Sequence, residues 1–300
     1  MALSRFVSGM IRITRPGNVL ICAFAVFTGS LLGGKPFDLL GEAFGGIVTF
    51  GPPAWLPRAL AAAVSAALIL AAGNVHNDLL DHAADKVNVP GRPIPSGRVG
   101  RTTAWVLAAV LAAAGLAFSV PVGKAGIVTA SAATGFLALY NSFLKRVPLA
   151  GNAVVALLGG LGFVYGGMAS GAVREALIPA AFATLFHFGR EIIKDAADVR
   201  GDTMSGIRTS ATAWGVHTAV WIASFAFILL GIAVSLPYAL GRFHIGYFLI
   251  VAAGIWPVIA WSAAISIIHP SEANLRKVAF VLKLVMSVGV FAVLAGFQGW

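Results

Sequence analysis
Seven of the eleven acidic side chains sit in two short stretches. NDLLDHAAD carries Asp78, Asp81 and Asp85 behind Asn77, and REIIKDAADVRGD carries Glu191, Asp195, Asp198 and Asp202. On a continued helix, Asn77, Asp81 and Asp85 fall at i, i+4 and i+8, on one face, with Asp78 off that line. Glu191, Asp195, Asp198 and Asp202 follow at i, i+4, i+7 and i+11, again on one face if helix persists to Gly201. Like charges spaced four apart repel by roughly 0.2–0.5 kcal/mol on an exposed helix. Beside a membrane the desolvation cost is larger, so such carboxylates need partners or cations. An all-oxygen donor set suits a hard ion such as Mg²⁺ rather than zinc, and magnesium completes its shell with water and substrate phosphate. Two such clusters on one face would hold two ions around one diphosphate. Arg92, Arg98, Lys145, Arg190, Lys194 and Arg208 would then meet the remaining phosphate charge. The competing reading, helix caps and interfacial salt bridges, explains one cluster more easily than two on the same face.

The elements that must position these groups are membrane helices. The chain is 59% hydrophobic and 11% charged, with mean hydropathy +0.90, whereas soluble domains average about 25% charged. Nine stretches are apolar enough to be expected as crossings: 17–34, 58–77, 103–121, 124–143, 149–171, 176–193, 212–236, 245–268 and 278–298. The expected fold is all-α, a polytopic bundle around a central cavity, and residues 1–300 read as one domain without a linker. GNAVVALLGGLGFVYGG, Gly151 to Gly167, suits close helix packing. The first residues read as a basic amphipathic lead-in rather than a cleaved signal, and the single Cys22 leaves redox compartment open. With nine crossings, fifteen Lys and Arg lie at one set of helix ends and five (Lys35, Arg58, Lys124, Arg174, Arg242) at the other, with Lys283 inside the last crossing. That asymmetry places the N-terminus and both acidic clusters on the cytoplasmic side. The net charge of +10 is therefore topology, with anionic ligands as a second cause, and not a nucleic-acid footprint. Spans two and six point the same way, so their clusters share a membrane face.

Weaker signals accompany these. NVPGRPIPSGR, Asn88 to Arg98, is a loop of restricted shape, suited either to fixing Arg92 and Arg98 over a site or to a stiff turn. His76, His82 and His187 have no metal-ligand spacing, and Lys283 either snorkels or faces the cavity.

NDLLDHAAD with NVPGRPIPSG resembles the first signature of the UbiA superfamily of intramembrane prenyltransferases. REIIKDAADVRGD resembles its second, in the form of the digeranylgeranylglyceryl phosphate synthase subfamily. RPGNVL (Arg15 to Leu20) and YNSFLKRVPLAGN (Tyr140 to Asn152) support the likeness, which spans residues 12–215. The resemblance implies a nine-helix bundle and Mg²⁺-dependent transfer of a prenyl group, geranylgeranyl for that subfamily, from prenyl diphosphate to a lipophilic acceptor. By position, Asn77, Asp81 and Asp85 would serve one magnesium and Asp195, Asp198 and Asp202 the other. Asp81, Asp85, Asp198 and Asp202 would be the catalytic acids. Asn18, Arg92, Tyr140 and Lys145 match positions around the diphosphate, with Arg190 and Lys194 alongside. Ala83, Ala197 and Arg200 stand where relatives often carry a further acid. The leading acceptor is geranylgeranylglyceryl phosphate, ahead of an aromatic quinone precursor or a chlorin. An ion-coupled transporter is the alternative from another class, but it would more naturally place its acids at mid-span.

Overall fold
A computed structural model describes residues 2–32 and 54–296. In chain order the helices are α1 (Ala2–Ile13), α2 (Pro16–Leu31), α3 (Leu56–Leu80), α4 (His82–Asn88), α5 (Arg101–Ser119), α6 (Lys124–Ser142), α7 (Ala150–Ser170) and α8 (Val173–Ala197). Then come α9 (Val199–Met204), α10 (Ser210–Trp214), α11 (Val216–Ala239), α12 (Ile245–Ile250), α13 (Trp256–Ile268) and α14 (Glu272–Gly296). Among the described residues there is no strand. A π-turn, Val251–Ile255, joins α12 to α13, so Ile245–Ile268 runs as one rod.

By length and hydropathy, seven helices suffice to cross a membrane: α3, Arg101–Val122, α7, α8, α11, Ile245–Ile268 and α14. An eighth appears if α1 and α2, bent by 43°, count together. The nine crossings expected from hydropathy are therefore seven or eight on this measure. Alone, the 16-residue α2 reaches about 24 Å, short of an apolar layer of about 30 Å. The fourth expected crossing coincides with α6, whose Lys124, Thr129, Ser131, Thr134 and Asn141 dilute its hydropathy. Lys35, residues 33–34 of the first expected crossing and residues 297–298 of the last lie outside the described residues.

The long helices form because Ala and Leu, the best helix formers, fill them, as in LPRALAAAVSAALILAAG of α3. Small residues then let backbones meet. A Cβ on Gly166 of α7 would lie 1.8 Å from the Val26 carbonyl of α2, and one on Gly29 would lie 2.2 Å from that of Phe163. Ser30 locks the seam by donating to the Gly166 carbonyl at 3.0 Å, so the Gly-rich run packs as its composition implied. Outward faces are apolar and exposed, with Trp105, Val106 and Val110 on α5 and Trp221, Phe225, Ile228 and Ile232 on α11. Alternating helix directions bring the C-terminal ends of α3, α6 and α8 together with the N-terminal ends of α2, α7 and α14. All the acids of both clusters sit at that end.

Candidate active site
Each acidic stretch interrupts its helix at an aspartate. α3 stops at Asp81 (φ −83°, ψ 7°) and restarts as α4, and α8 stops at Asp198 (φ −100°, ψ 6°) and restarts as α9. Asp side chains compete with helix for local hydrogen bonds, and this sparsely populated backbone region often serves active sites. The uninterrupted helices assumed from spacing are thus corrected. Yet the i to i+4 pairing survives across each break: the Asp85 amide donates to the Asp81 carbonyl at 2.8 Å and the Asp202 amide to the Asp198 carbonyl at 3.1 Å. One construction occurs twice.

Asn88, which spacing did not single out, clasps the two together. Its side-chain amide donates to the Asp198 carbonyl at 3.1 Å and accepts from the Gly201 amide at 3.1 Å. A Cβ at Gly201, in the first turn of α9, would sit 2.4 Å from that side chain, so any larger residue there displaces Asn88. The only advance signal was position, at the mouth of the Pro/Gly-rich loop.

Within the first cluster, cations hold the acids. Asp78, 1% exposed, pairs with Arg15 and, at 3.2 Å, with Arg92. Arg92 also binds Asp85 at 2.5 Å, and Lys145 pairs with Asp81. Asn77 donates to Asp81 at 2.7 Å and accepts from Arg15 at 2.9 Å. Arg15 does this from a left-handed backbone (φ 55°, ψ 63°) at the elbow between α1 and α2, strain that a non-glycine residue bears only when its surroundings impose it. The side chain of Asn74 fixes the elbow by donating to the Thr14 carbonyl at 2.9 Å. Arg15 is a second residue of the site that sequence reasoning left as topological charge, because its partners lie over sixty positions away. Of the loop residues, Arg92 reaches the acids while the stem of Arg98 faces α1 at Gly9. Ile94 and Val99 anchor the loop in an apolar cluster with Ile13, Val75 and Leu79.

In the second cluster, Asn152 donates to Asp195 at 2.7 Å, Arg276 lies 3.4 Å from Asp198, and Glu191 pairs with Arg190 at 2.7 Å and Lys194 at 3.0 Å. A cavity of about 310 Å³ runs inward from here. Asn18, Asn77, Tyr140, Arg190 and Lys194 lie on its wall with Arg15 and Glu191, whereas Asp81, Asp85, Asp195, Asp198, Asp202, Arg92 and Lys145 are not part of that lining. Its deeper lining is Leu, Ile, Val, Phe and Ala. Arg208 is exposed and is not part of the cavity lining. His76 packs against Trp105 with ring centroids 5.3 Å apart and planes tilted by 53°.

Burial pushes the Asp85 carboxyl up to about 6 against the opposing pull of Arg92. Burial likewise pushes Asp202 up to about 7; Lys145 opposes this, and Asp195, Asp198 and Asp81 add to it. Asp81 belongs to the other cluster, so the two breaks feel one another. Among the described residues no three acids, histidines or cysteines converge as a ready cage. Mg²⁺ requires none, since it takes one or two protein carboxylates and fills the rest with water and phosphate. An all-oxygen set whose buried acids resist ionisation fits a divalent cation, which would relieve that cost.

Residues 39–287 match the model of the UbiA prenyltransferase family. The chain is 35% identical over 269 residues to a Halobacterium salinarum digeranylgeranylglyceryl phosphate synthase, covering 89% of this chain and 90% of that one. It is 31% identical over 286 residues to a Methanopyrus kandleri protein of the same name, covering 95% and 97%. A solved digeranylgeranylglyceryl phosphate synthase superposes with TM-score 0.71 at 26% identity, over 97% of this chain and 98% of that one. A UbiA homologue from Archaeoglobus fulgidus bound to GPP and Mg²⁺ shares the fold, with TM-score 0.56 at 15% identity over 95% and 99%.

Proposed function
The chain belongs to the UbiA prenyltransferase family and is a membrane enzyme that transfers prenyl groups; from that premise we propose that it joins a geranylgeranyl group from its diphosphate to geranylgeranylglyceryl phosphate, making an ether lipid. The observation that carries this reading is an apolar cavity whose polar end lies against two acid-bearing helix breaks. Relatives named for that product, matched over nine-tenths of the chain, give the choice of acceptor.

Asn77, Asp81 and Asp85 on one side and Asp195, Asp198 and Asp202 on the other would hold one Mg²⁺ each. Bound there, the metal supplies Lewis-acid neutralisation of the departing diphosphate. The chain's own groups do the rest. Arg15, Arg92 and Lys145, already in place against the aspartates, take up phosphate oxygens as they form new partners. Asn18 and Tyr140 border the same end of the cavity and orient the diphosphate. The apolar wall holds the isoprenoid and keeps water from the allylic carbon as its bond to oxygen breaks. The acceptor's hydroxyl oxygen then captures that carbon, and its proton passes to the released diphosphate. Residues 1–300 act as a single domain of nine crossings, with α2 and α6 completing the bundle, and with the N-terminus and active-site loops in the cytoplasm. Both substrates come laterally from membrane lipid.

Purified protein given geranylgeranyl diphosphate, Mg²⁺ and a panel of acceptors tests this, with pyrophosphate release and product mass as readouts. The expected result is Mg²⁺-dependent digeranylgeranylglyceryl phosphate. Product from only an aromatic or chlorin acceptor would overturn the acceptor assignment, and no pyrophosphate release from any would overturn the site.

A further inference from the structure
Lys283 is a charge inside a membrane helix, about 9 Å further along α14 than Lys277 at 1.5 Å per residue. Among the described residues it makes no ion pair or hydrogen bond. Its ammonium nitrogen would lie 3.4 Å from a Cβ at Gly17, which places it against the N-terminal turn of α2, where backbone amides favour anions. The charges that face it are Arg190 and Arg15, both cations. Lys283 is half-buried, and an ionisable side chain within a membrane helix points to a functional partner.

The rest of the corner has the same surplus. Arg190 gives one nitrogen to Glu191, and its Nε is buried without a partner. Lys194 also turns to Glu191. Three cations (Arg190, Lys194 and Lys283) thus share one directly paired acid, Glu191, a surplus of two positive charges. By contrast, Arg15, Arg92 and Lys145 are each matched to an aspartate of the first cluster. Lys283 also shares a helix stripe with Met286, Val290 and Val293, at i, i+3, i+7 and i+10, and these three line the cavity. One helix therefore presents a cation and then an apolar track, the order of groups in a lipid phosphate.

We propose that Lys283, Arg190 and Lys194 form the seat for the phosphate monoester of the acceptor, beside the aspartate site that takes the donor's diphosphate. A phosphate monoester carries about −1.5 to −2 charge at neutral pH, which matches the surplus, and its tail runs along the α14 stripe. This rests on the reading of the acceptor as a phosphorylated lipid. It also accounts for selection between acceptors: an uncharged or monoanionic aromatic leaves the corner unneutralised.

Steady-state kinetics and equilibrium binding on the full-length protein, with geranylgeranylglyceryl phosphate, its dephosphorylated analogue and geranylgeranyl diphosphate, test the seat. Lys283→Met should raise KM and Kd for the phosphorylated acceptor about tenfold or more, leave KM for the donor within about twofold, and leave weak binding of the dephosphorylated analogue unchanged. Lys283→Arg should restore most of the loss, which a merely misfolded variant would not allow. Unchanged acceptor affinity in Lys283→Met, or an equal rise for donor and acceptor, overturns the seat even while the enzyme makes its product. If wild type binds the phosphorylated lipid in a Lys283-dependent way yet forms no product, the assigned reaction fails and the seat stands.

Discussion
At the scale of single residues, the acids differ in what they do. Asp81 and Asp198 mark the two helix breaks, Asp81 held by Lys145 and the Asp198 carbonyl by Asn88 of the first stretch. Asp81→Asn and Asp198→Asn should lower kcat by about 10²-fold or more, as expected when electrostatic stabilisation of a leaving group is lost. Both variants should still fold, with a melting temperature near wild type for Asp198→Asn and a lower one for Asp81→Asn, which takes the acid away from Lys145. Removing Lys145 is different. It leaves Asp81, 6% exposed, without its cation, and stranding one partner of a buried pair costs about 3–5 kcal/mol, so Lys145→Met should fail in stability as well as activity. Asp85 and Asp202 give a pH signature. Their carboxyls are raised by burial to about 6 and about 7, above an unfolded value of about 3.9. Between those limits the folded chain holds protons that the unfolded chain releases. Their contribution to stability therefore falls as pH rises from about 4 to about 7, and is level above that. In chelator, the double variant Asp85→Asn, Asp202→Asn should lose that part of the slope of melting temperature against pH; an unchanged slope sinks the burial argument. Acid types and spacing were legible in the sequence because oxygen donors at helical intervals are rare in apolar chains. Arg15 was not, since a lone arginine at a helix start reads as topology until its partners on α3 are placed beside it.

At the scale of elements, apolar runs announced the helices but not their interruptions. Asn77, Asp81 and Asp85 show the same intervals whether the helix is continuous or broken at Asp81, so spacing alone could not reveal the break. The clasp between α4 and α9 depends on one amide and one glycine. Gly201→Ala should push Asn88 aside and weaken Mg²⁺-dependent activity more than it lowers stability, with Asn88→Ala giving the same pattern; activity assayed across a magnesium titration separates the two effects. At Gly166 the balance reverses. A Cβ there would lie 1.8 Å from the Val26 carbonyl, so Gly166→Val should separate α2 from α7 and fail to yield folded protein, with cavity lining lost as a consequence. Small residues along α7 were legible as a packing face, whereas which helices they join needed the three-dimensional arrangement. The polar content of α6 likewise hid a bundle helix from a hydropathy threshold, because its polar groups face neighbours: Thr129 lies 3.5 Å from the Met168 sulfur and Asn141 bonds to the Gly73 carbonyl at 3.1 Å.

At the scale of the molecule, the bundle puts chemistry at one end and hydrocarbon along its length. Helix directions fix which connections share a side: the α4, Leu144–Arg146 and α9 regions together, and the turns at Gly123, Gly171 and Gly241 opposite. Cys22 is the only native thiol, so single cysteines can report orientation in a Cys22→Ser background. Cysteines at Arg200 and Arg146 should react with a membrane-impermeant maleimide only when the cytoplasmic side is opened, and one at Gly123 should react from outside. The reverse pattern would overturn the orientation drawn from charge asymmetry.

The pairing of the first-cluster acids with the chain's own arginines and lysine has a consequence for how the site fills. At rest this cluster is an internal salt, each anion holding a resident counter-ion. A metal ion alone must evict Arg15, Arg92 and Lys145, and a diphosphate alone must approach a ring of aspartates. Supplied together they exchange partners, metal to carboxylate and phosphate to guanidinium, and no charge is left stranded. The two ligands should therefore bind as a couple: calorimetry should show weak association of Mg²⁺ alone, and of a non-hydrolysable diphosphate alone, but tight uptake of the pair. The enzyme is in this sense an ion exchanger that opens to cation and anion supplied together.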